Sequence, residues 1–279
     1  MKKLLIVAGI LTAFGTASAE VKIGGLVSYD FSKSSKTAYT VSPNSNSNIN
    51  VGIAEKLGSG MGIKGYVELG VLGNGANAES NDVYLQVDSS VGSVKVGQVE
   101  AKNGIVGLGQ GGAPVIGTDG TVLAGSSNLQ SISYTTPSMY GLSFSVGNTR
   151  AIDNTGANKN AIGAAYTSGV FSAKVDRNQT TERVRASGAV TLKGVTLGAG
   201  VSRDELFKAD SSVLGVSYTI SGVTLGAAVS NGNGRGVEYG AQYALSKATS
   251  VNVAYATVEN NSNVSSNVDT TRVRLSHAF

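Results

Sequence analysis

The chain has 279 residues with no Cys and a single His, so disulfide frameworks, thiolate nucleophiles and multi-His metal sites are excluded at once. Only 14% of residues are charged, with 38 Gly, 3 Pro and no Trp, a thin polar coat beside the roughly 25% charge of ordinary soluble domains. No run beyond the N-terminus is long and apolar enough for a membrane-spanning helix. Met1, Lys2 and Lys3 lead into the apolar stretch Leu4 to Phe14 and the small residues Ala17, Ser18 and Ala19. This is the pattern of a cleaved signal peptide over residues 1–19, with a mature domain over 20–279. Removing Lys2 and Lys3 from the 22 basic residues leaves 20 against 18 acidic, a net charge of +2. That balance, without a basic cluster, gives no case for nucleic-acid binding.

From Glu20 onward the dominant period is two. Val21, Ile23, Gly25, Val27, Tyr29 and Phe31 alternate with Lys22, Gly24, Leu26, Ser28 and Asp30. Met61, Ile63, Gly65, Val67, Leu69 and Val71 repeat the pattern, as do Val184, Ala186, Gly188 and Val190, and finally Val273, Leu275 and Phe279. Period two is the signature of strands. Tight links fall at Leu57 to Gly60, Ser89 to Gly92, Pro137 to Gly141, Ser168-Gly169, Lys193-Gly194, Ser221-Gly222 and Ser246 to Thr249. Longer polar links fall at Ser32 to Asn46, Leu72 to Ser80, Glu100 to Asn128, Ala151 to Lys159, Asn178 to Glu182, Arg203 to Asp210, Asn231 to Gly236 and Val258 to Asp269. Short turns alternating with long loops predict an all-β fold: a transmembrane antiparallel β-barrel of about sixteen strands. Lipid offers no hydrogen-bond partner, so such a sheet must close. A soluble β-sandwich also alternates, but it needs more inward bulk and more surface charge.

Parity assigns the faces. Val, Leu, Ile, Ala and Gly point outward; Lys22, Lys64, Lys95, Lys174, Arg183, Arg185, Arg272 and Arg274 point inward with Asp30, Glu68, Asp82, Asp88, Asp176 and Glu238. Eight bases against six acids predict a weak anion preference, unless local ion pairs cancel it. Tyr29, Phe31, Tyr239 and Tyr255 fall toward the loop ends of outward faces. Tyr134, Phe144, Tyr166, Phe171, Tyr218, Tyr243 and Phe279 fall toward the turn ends. Two aromatic girdles are expected from this placement.

Four stretches carry a family resemblance: VGIAEKLGSGMGIKGYVELG (51–70), NDVYLQVDSSVGSVKVGQ (81–98), SISYTTPSMYGLSFSVG (131–147), and GAQYALSKATSVNVAYA (240–256) followed by the terminal VRLSHAF. In order and spacing the mature chain resembles the general diffusion porins of Gram-negative outer membranes, a trimeric, sixteen-stranded family. The resemblance implies that the long third loop, here Glu100 to Asn128, folds into the lumen and narrows it, with its acids Glu100 and Asp119 facing a basic wall. The family's ladder arginines are replaced here by Asn50, Asn81 and Gln98. Lys64 and Lys95, with Arg183 and Arg185, are then the expected basic side chains of the pore and its constriction. The resemblance further implies that the C-terminal Phe279 is read by the barrel-assembly machinery. It implies a homotrimer embedded in outer-membrane lipid and lipopolysaccharide, no cofactor and no metal. The expected activity is passive diffusion of ions and small hydrophilic solutes through a water-filled lumen. A barrel enzyme lacks a convincing base, since His277 sits at the extreme end pointing outward. A substrate-selective channel, or a structural or adhesive outer-membrane barrel, is the alternative. A sugar-specific channel normally shows a track of lumen aromatics, whereas only Tyr66 and Tyr84 point inward on strands here.

Overall fold

The computed structural model describes residues 19–44, 47–57, 60–70, 79–100, 128–151, 158–180, 182–204, 209–232, 234–260 and 267–279. The predicted signal peptide and nearly all of the long third loop lie outside them. The elements are all strands: β1 (Glu20–Ser34), β2 (Thr40–Pro43), β3 (Asn48–Lys56), β4 (Gly62–Gly70), β5 (Glu79–Ser89), β6 (Gly92–Glu100), β7 (Asn128–Thr135), β8 (Leu142–Ala151) and β9 (Lys159–Thr167), followed by β10 (Phe171–Asn178), β11 (Arg183–Leu192), β12 (Val195–Asp204), β13 (Ala209–Ile220), β14 (Val223–Asn231), β15 (Gly234–Ala244), β16 (Thr249–Asn260) and β17 (Val268–Ala278).

From β3 to β17 each strand pairs antiparallel with the next. The last strand returns to the first: β17 pairs with β1 from Leu26↔Ala278 to Ser34↔Thr270. The sheet is therefore a closed barrel, and no strand edge is left to face lipid. The second strand departs from the sequence reading. Residues 32–46 are expected to be loop, yet Thr40–Pro43 forms β2 against Ser32–Tyr29, in line with β3 against Glu20–Leu26. β2 and β3 thus act as one barrel strand interrupted by two extra residues, giving sixteen barrel strands and one extra piece. Polar side chains knit the interruption. The Ser28 N–H donates to Ser47 Oγ (3.0 Å), the Asn44 N–H donates to the Ser28 carbonyl (2.8 Å), and Asn44 Nδ2 donates to Asp30 Oδ2 (2.8 Å).

Local chemistry explains the hairpins. Tyr140-Gly141, Lys193-Gly194 and Ser221-Gly222 all carry positive φ at both central positions. That is the mirror-image turn whose twist matches its flanking strands, and Gly occupies the second place in each.

The distribution of apolar surface decides the class. Ile23, Leu85, Ile162, Val201 and Leu214 are all more than half exposed, on the faces that parity calls outward. Among the described residues the few buried apolar side chains are Leu129, Val213 and the alanines Ala189, Ala228, Ala254 and Ala256, while Ser28, Asp30, Glu68, Ser202, Ser230, Glu238 and Asn252 are buried polar groups. A sandwich would invert this order. Outward rings of Tyr134, Phe144, Tyr166, Phe171, Tyr218 and Tyr243 lie near the turn end, while Tyr29, Phe31 and the paired Tyr239 and Tyr255 lie further toward the loops.

The seam is closed by the C-terminus. The Phe279 N–H donates to the Gly25 carbonyl and the Gly25 N–H donates to the Phe279 carbonyl, both at 3.1 Å. A Cβ at Gly25 would meet the Asn48 carbonyl at 2.5 Å and the Phe279 ring at 2.6 Å. The ring of Phe279 therefore lies over the bare backbone of Gly25. Gly25→Val is expected to cost about 1–3 kcal/mol by overpacking. It should lower the yield of heat-modifiable folded barrel on refolding into detergent, read by cold gel electrophoresis.

Candidate functional site on the lumen wall

Register places the charged residues. Asp30 on β1 lies opposite Arg274 on β17, one step from Arg272. Arg274 donates from Nε to Asp30 Oδ1 (2.6 Å) and from Nη2 to Oδ2 (3.0 Å). Arg272 Nε stands 3.6 Å from Asp30 Oδ2, and the side chains of Asp30 and Arg274 are nearly buried. One carboxylate at the barrel seam therefore balances two guanidinium groups and is held by Asn44 as well.

A second cluster sits on β10 and β11. Arg185 lies opposite Asp176 and donates to its Oδ1 from Nε (3.0 Å) and Nη2 (2.6 Å), while Lys174 approaches Asp176 at 3.7 Å. Arg183 occupies the same lumen-facing parity two residues earlier, opposite Asn178 and Asp204.

The third cluster carries the expected constriction lysines. Lys64 on β4 pairs with Asp88 at 2.7 Å, and Gln86 and Ser93 both donate to the same carboxylate at 2.6 Å. Lys95 on β6 lies 4.3 Å from the centroid of Tyr84. Tyr84 in turn stacks on Tyr66, with centroids 5.4 Å apart and planes 26° apart. The Tyr66 hydroxyl donates to Glu68 Oε2 at 3.0 Å. Lys64 and Lys95 thus belong to one patch of β4 to β6, both opposite Gln86.

The remaining sequence candidates fall unevenly. Asn50 lies on β3 between Gly24 and Glu68 in register, on the lumen side. Asn81 lies in β5 where the register shifts: Val67 opposes Val83 but Leu69 opposes Ser80, so Asn81 and Asp82 fall within a bulge. Glu100 ends β6 opposite Asn128, and Asp119 lies outside the described residues. Gln98 is corrected. It shares the face of Val94 and Val96, which is the outer one, and pairs with Gln130, which pairs with Arg150. These groups and Asn148 line an outer recess of about 690 Å³ beside Val96 and Ile132. Near the loop end the apolar band gives way to headgroups, so a polar residue is tolerated outside, and its type no longer reports which face it occupies. His277 shares the outward face of Val27 and contacts Thr249 Oγ1 through Nδ1 at 2.9 Å.

The wall is therefore polar, ion-paired and closed around an axis, with nothing arranged as a nucleophile and base among the described residues. A family model described as Gram-negative porin matches residues 6–276. The chain belongs to the Gram-negative porin family. No curated protein matches it in sequence. Solved porin-like barrels superpose closely despite low identity. OmpT, an outer membrane protein of Vibrio cholerae solved in a trimer form, is 12% identical with a TM-score of 0.68, covering 94% of this chain and 99% of that one. A loop-deletion mutant of OmpT is 13% identical with a TM-score of 0.69, covering 94% and 100%. A triple mutant of Rhodopseudomonas blastica porin is 13% identical with a TM-score of 0.68, covering 93% and 100%. As a porin, the protein is an outer-membrane channel for passive diffusion.

Sequence parity placed the seam charges inward but not together, because the contact between β1 and β17 depends on closure. Removing the shared carboxylate leaves two guanidiniums facing each other. Asp30→Asn is expected to destabilise the barrel by about 3 kcal/mol, the scale for breaking a buried ion pair by losing one partner. A lowered unfolding midpoint in urea-titrated, liposome-folded porin would measure it.

Proposed function

We propose that this porin conducts ions and small hydrophilic solutes through a near-neutral lumen with a weak anion preference. The observation that carries the reading is the inverted barrel: hydrocarbon-compatible side chains outside, paired charges inside, around sixteen strands. A barrel of that size holds water, where eight strands would fill with side chains. The inward bases exceed the inward acids, but local pairs trim the excess. Asp30, Asp88 and Asp176 each face one or two cations. The residual field is small, and rings of fixed charge are what bias entering ions.

In this reading Lys64, Lys95 and Asn50 form the wall that the long third loop approaches with Asp119, and Arg183 and Arg185 line the pore elsewhere; Glu100, at the end of β6 on the same outward register as Gln98, has no part in it. The trimer form of OmpT supports a homotrimer. Phe279 at the closed seam supports a role as the signal for the barrel-assembly machinery, and residues 1–19 act as the leader to the periplasm. The outer wall faces membrane lipid and, at the loop end, lipopolysaccharide. Catalysis has no part in this reading, since the only imidazole points away from the lumen.

In planar bilayers the purified protein is expected to give discrete ohmic steps, with a reversal potential in a potassium chloride gradient slightly on the anion side. Lys64→Glu and Lys95→Glu should each move that potential toward cations. A folded barrel without steps contradicts the channel, and an unmoved potential in both variants contradicts the constriction.

A further inference from the structure

One lateral row on the lumen wall carries a recess next to an aromatic face. Register sets Lys22 on β1 opposite Gly52 on β3, Gly52 opposite Tyr66 on β4, Tyr66 opposite Tyr84 on β5, and Tyr84 opposite Gly97 on β6. Tyr84 covers the β5 side of the Tyr66 ring. The other ring face turns toward β3, where Gly52 has no side chain. Among the described residues the space above Gly52 is open: a Cβ built there meets none of their atoms closer than the Lys22 carbonyl at 3.9 Å. Neighbouring strands are roughly 4.8 Å apart, so the gap between Tyr66 and the Lys22 stem is two strand spacings wide and admits one ring.

The aromatic wall is fixed in advance. Tyr66 is stacked on Tyr84, its hydroxyl is anchored on Glu68 at 3.0 Å, and Tyr84 is flanked by the Lys95 ammonium on its other side. A rigid ring loses little freedom when a ligand settles on it. The rim is polar with both signs: Asn50 on the loop side, and Lys22 with Glu20, paired at 3.1 Å, on the far side. A charged solute meets a like charge on this rim along with an opposite one, whereas hydroxyl groups can donate to the carboxylate and accept from the ammonium and amide. The apolar face of a pyranose suits the open face of Tyr66.

We infer that Tyr66, Gly52 and the Lys22–Asn50 rim form a binding subsite for neutral saccharides on the channel wall. The inference rests on the channel reading above and adds a solute class to it. Sugars passing the pore pause on Tyr66, so the protein transports them with weak saturable affinity instead of by free diffusion alone.

The test is current through single channels in potassium chloride with maltose added, against sorbitol, an open-chain polyol with no ring face. Maltose is expected to produce saturable, concentration-dependent current fluctuations, and sorbitol only the fall in conductance shared with bulk solution. Tyr66→Ala removes the ring face, and Gly52→Val fills the recess from the opposite strand while leaving the stacked tyrosines in place. Each should raise the half-blocking maltose concentration roughly three- to tenfold, the scale of one aromatic contact, while steps in salt alone persist. Maltose acting no differently from sorbitol in the wild type, or equal block in both variants, overturns the subsite and leaves the channel standing. Absence of steps without sugar overturns the channel reading itself.

Discussion

Backbone hydrogen bonding in hydrocarbon is the constraint from which this architecture follows. An unpaired N–H or C=O in the bilayer core costs several kcal/mol, so every strand needs two partners. The chain meets that demand with consecutive hairpins and one long-range contact, the pairing of β1 with β17. The seam carries the weight of the whole ring, and the sequence concentrates its chemistry there. Phe279 exchanges backbone hydrogen bonds with Gly25, Asp30 gathers Arg272 and Arg274, and Ser28 and Asn44 stitch the interrupted second strand to its neighbour.

Closure with hydrocarbon outside then dictates composition. The outer face needs apolar bulk, so valine, leucine and isoleucine stand exposed, and the inner face is free to be polar. Charges inside sit in a water-lined wall. There, local pairing lowers their self-energy and also trims the field that an ion meets in transit. In the proposed channel the same pairing leaves the pore nearly neutral. Where the wall carries rings instead of charges, at Tyr66 and Tyr84, it offers a flat stacked surface to the lumen.

The sequence made the repeating features legible. Period-two alternation located the strands, and Gly-bearing pairs such as Lys193-Gly194 and Ser221-Gly222 located turns whose backbone demands positive φ. Parity then gave the inward charges, because one register error would have turned every valine into water. The second strand escaped notice because Thr40–Pro43 is four residues long, too short for a periodic signal, and is held by contacts to β1 that only closure creates. Gln98 was misplaced because polarity stops reporting direction where the apolar band ends. The grouping of Lys95, Tyr84 and Tyr66, and the bare backbone of Gly52 beside them, depend on which residues of neighbouring strands come level, and a single chain does not display cross-strand register.

The account rests on water inside and hydrocarbon outside, and the absence of native cysteine makes this directly measurable. Single cysteines at Val216 and Ser217, adjacent on β13 and assigned to opposite faces, would be exposed to a charged, membrane-impermeant thiol reagent in folded proteoliposomes. Rapid labelling at 217 with 216 protected until detergent is added is the predicted result. Equal labelling at the two positions, or protection of 217 alone, would contradict it.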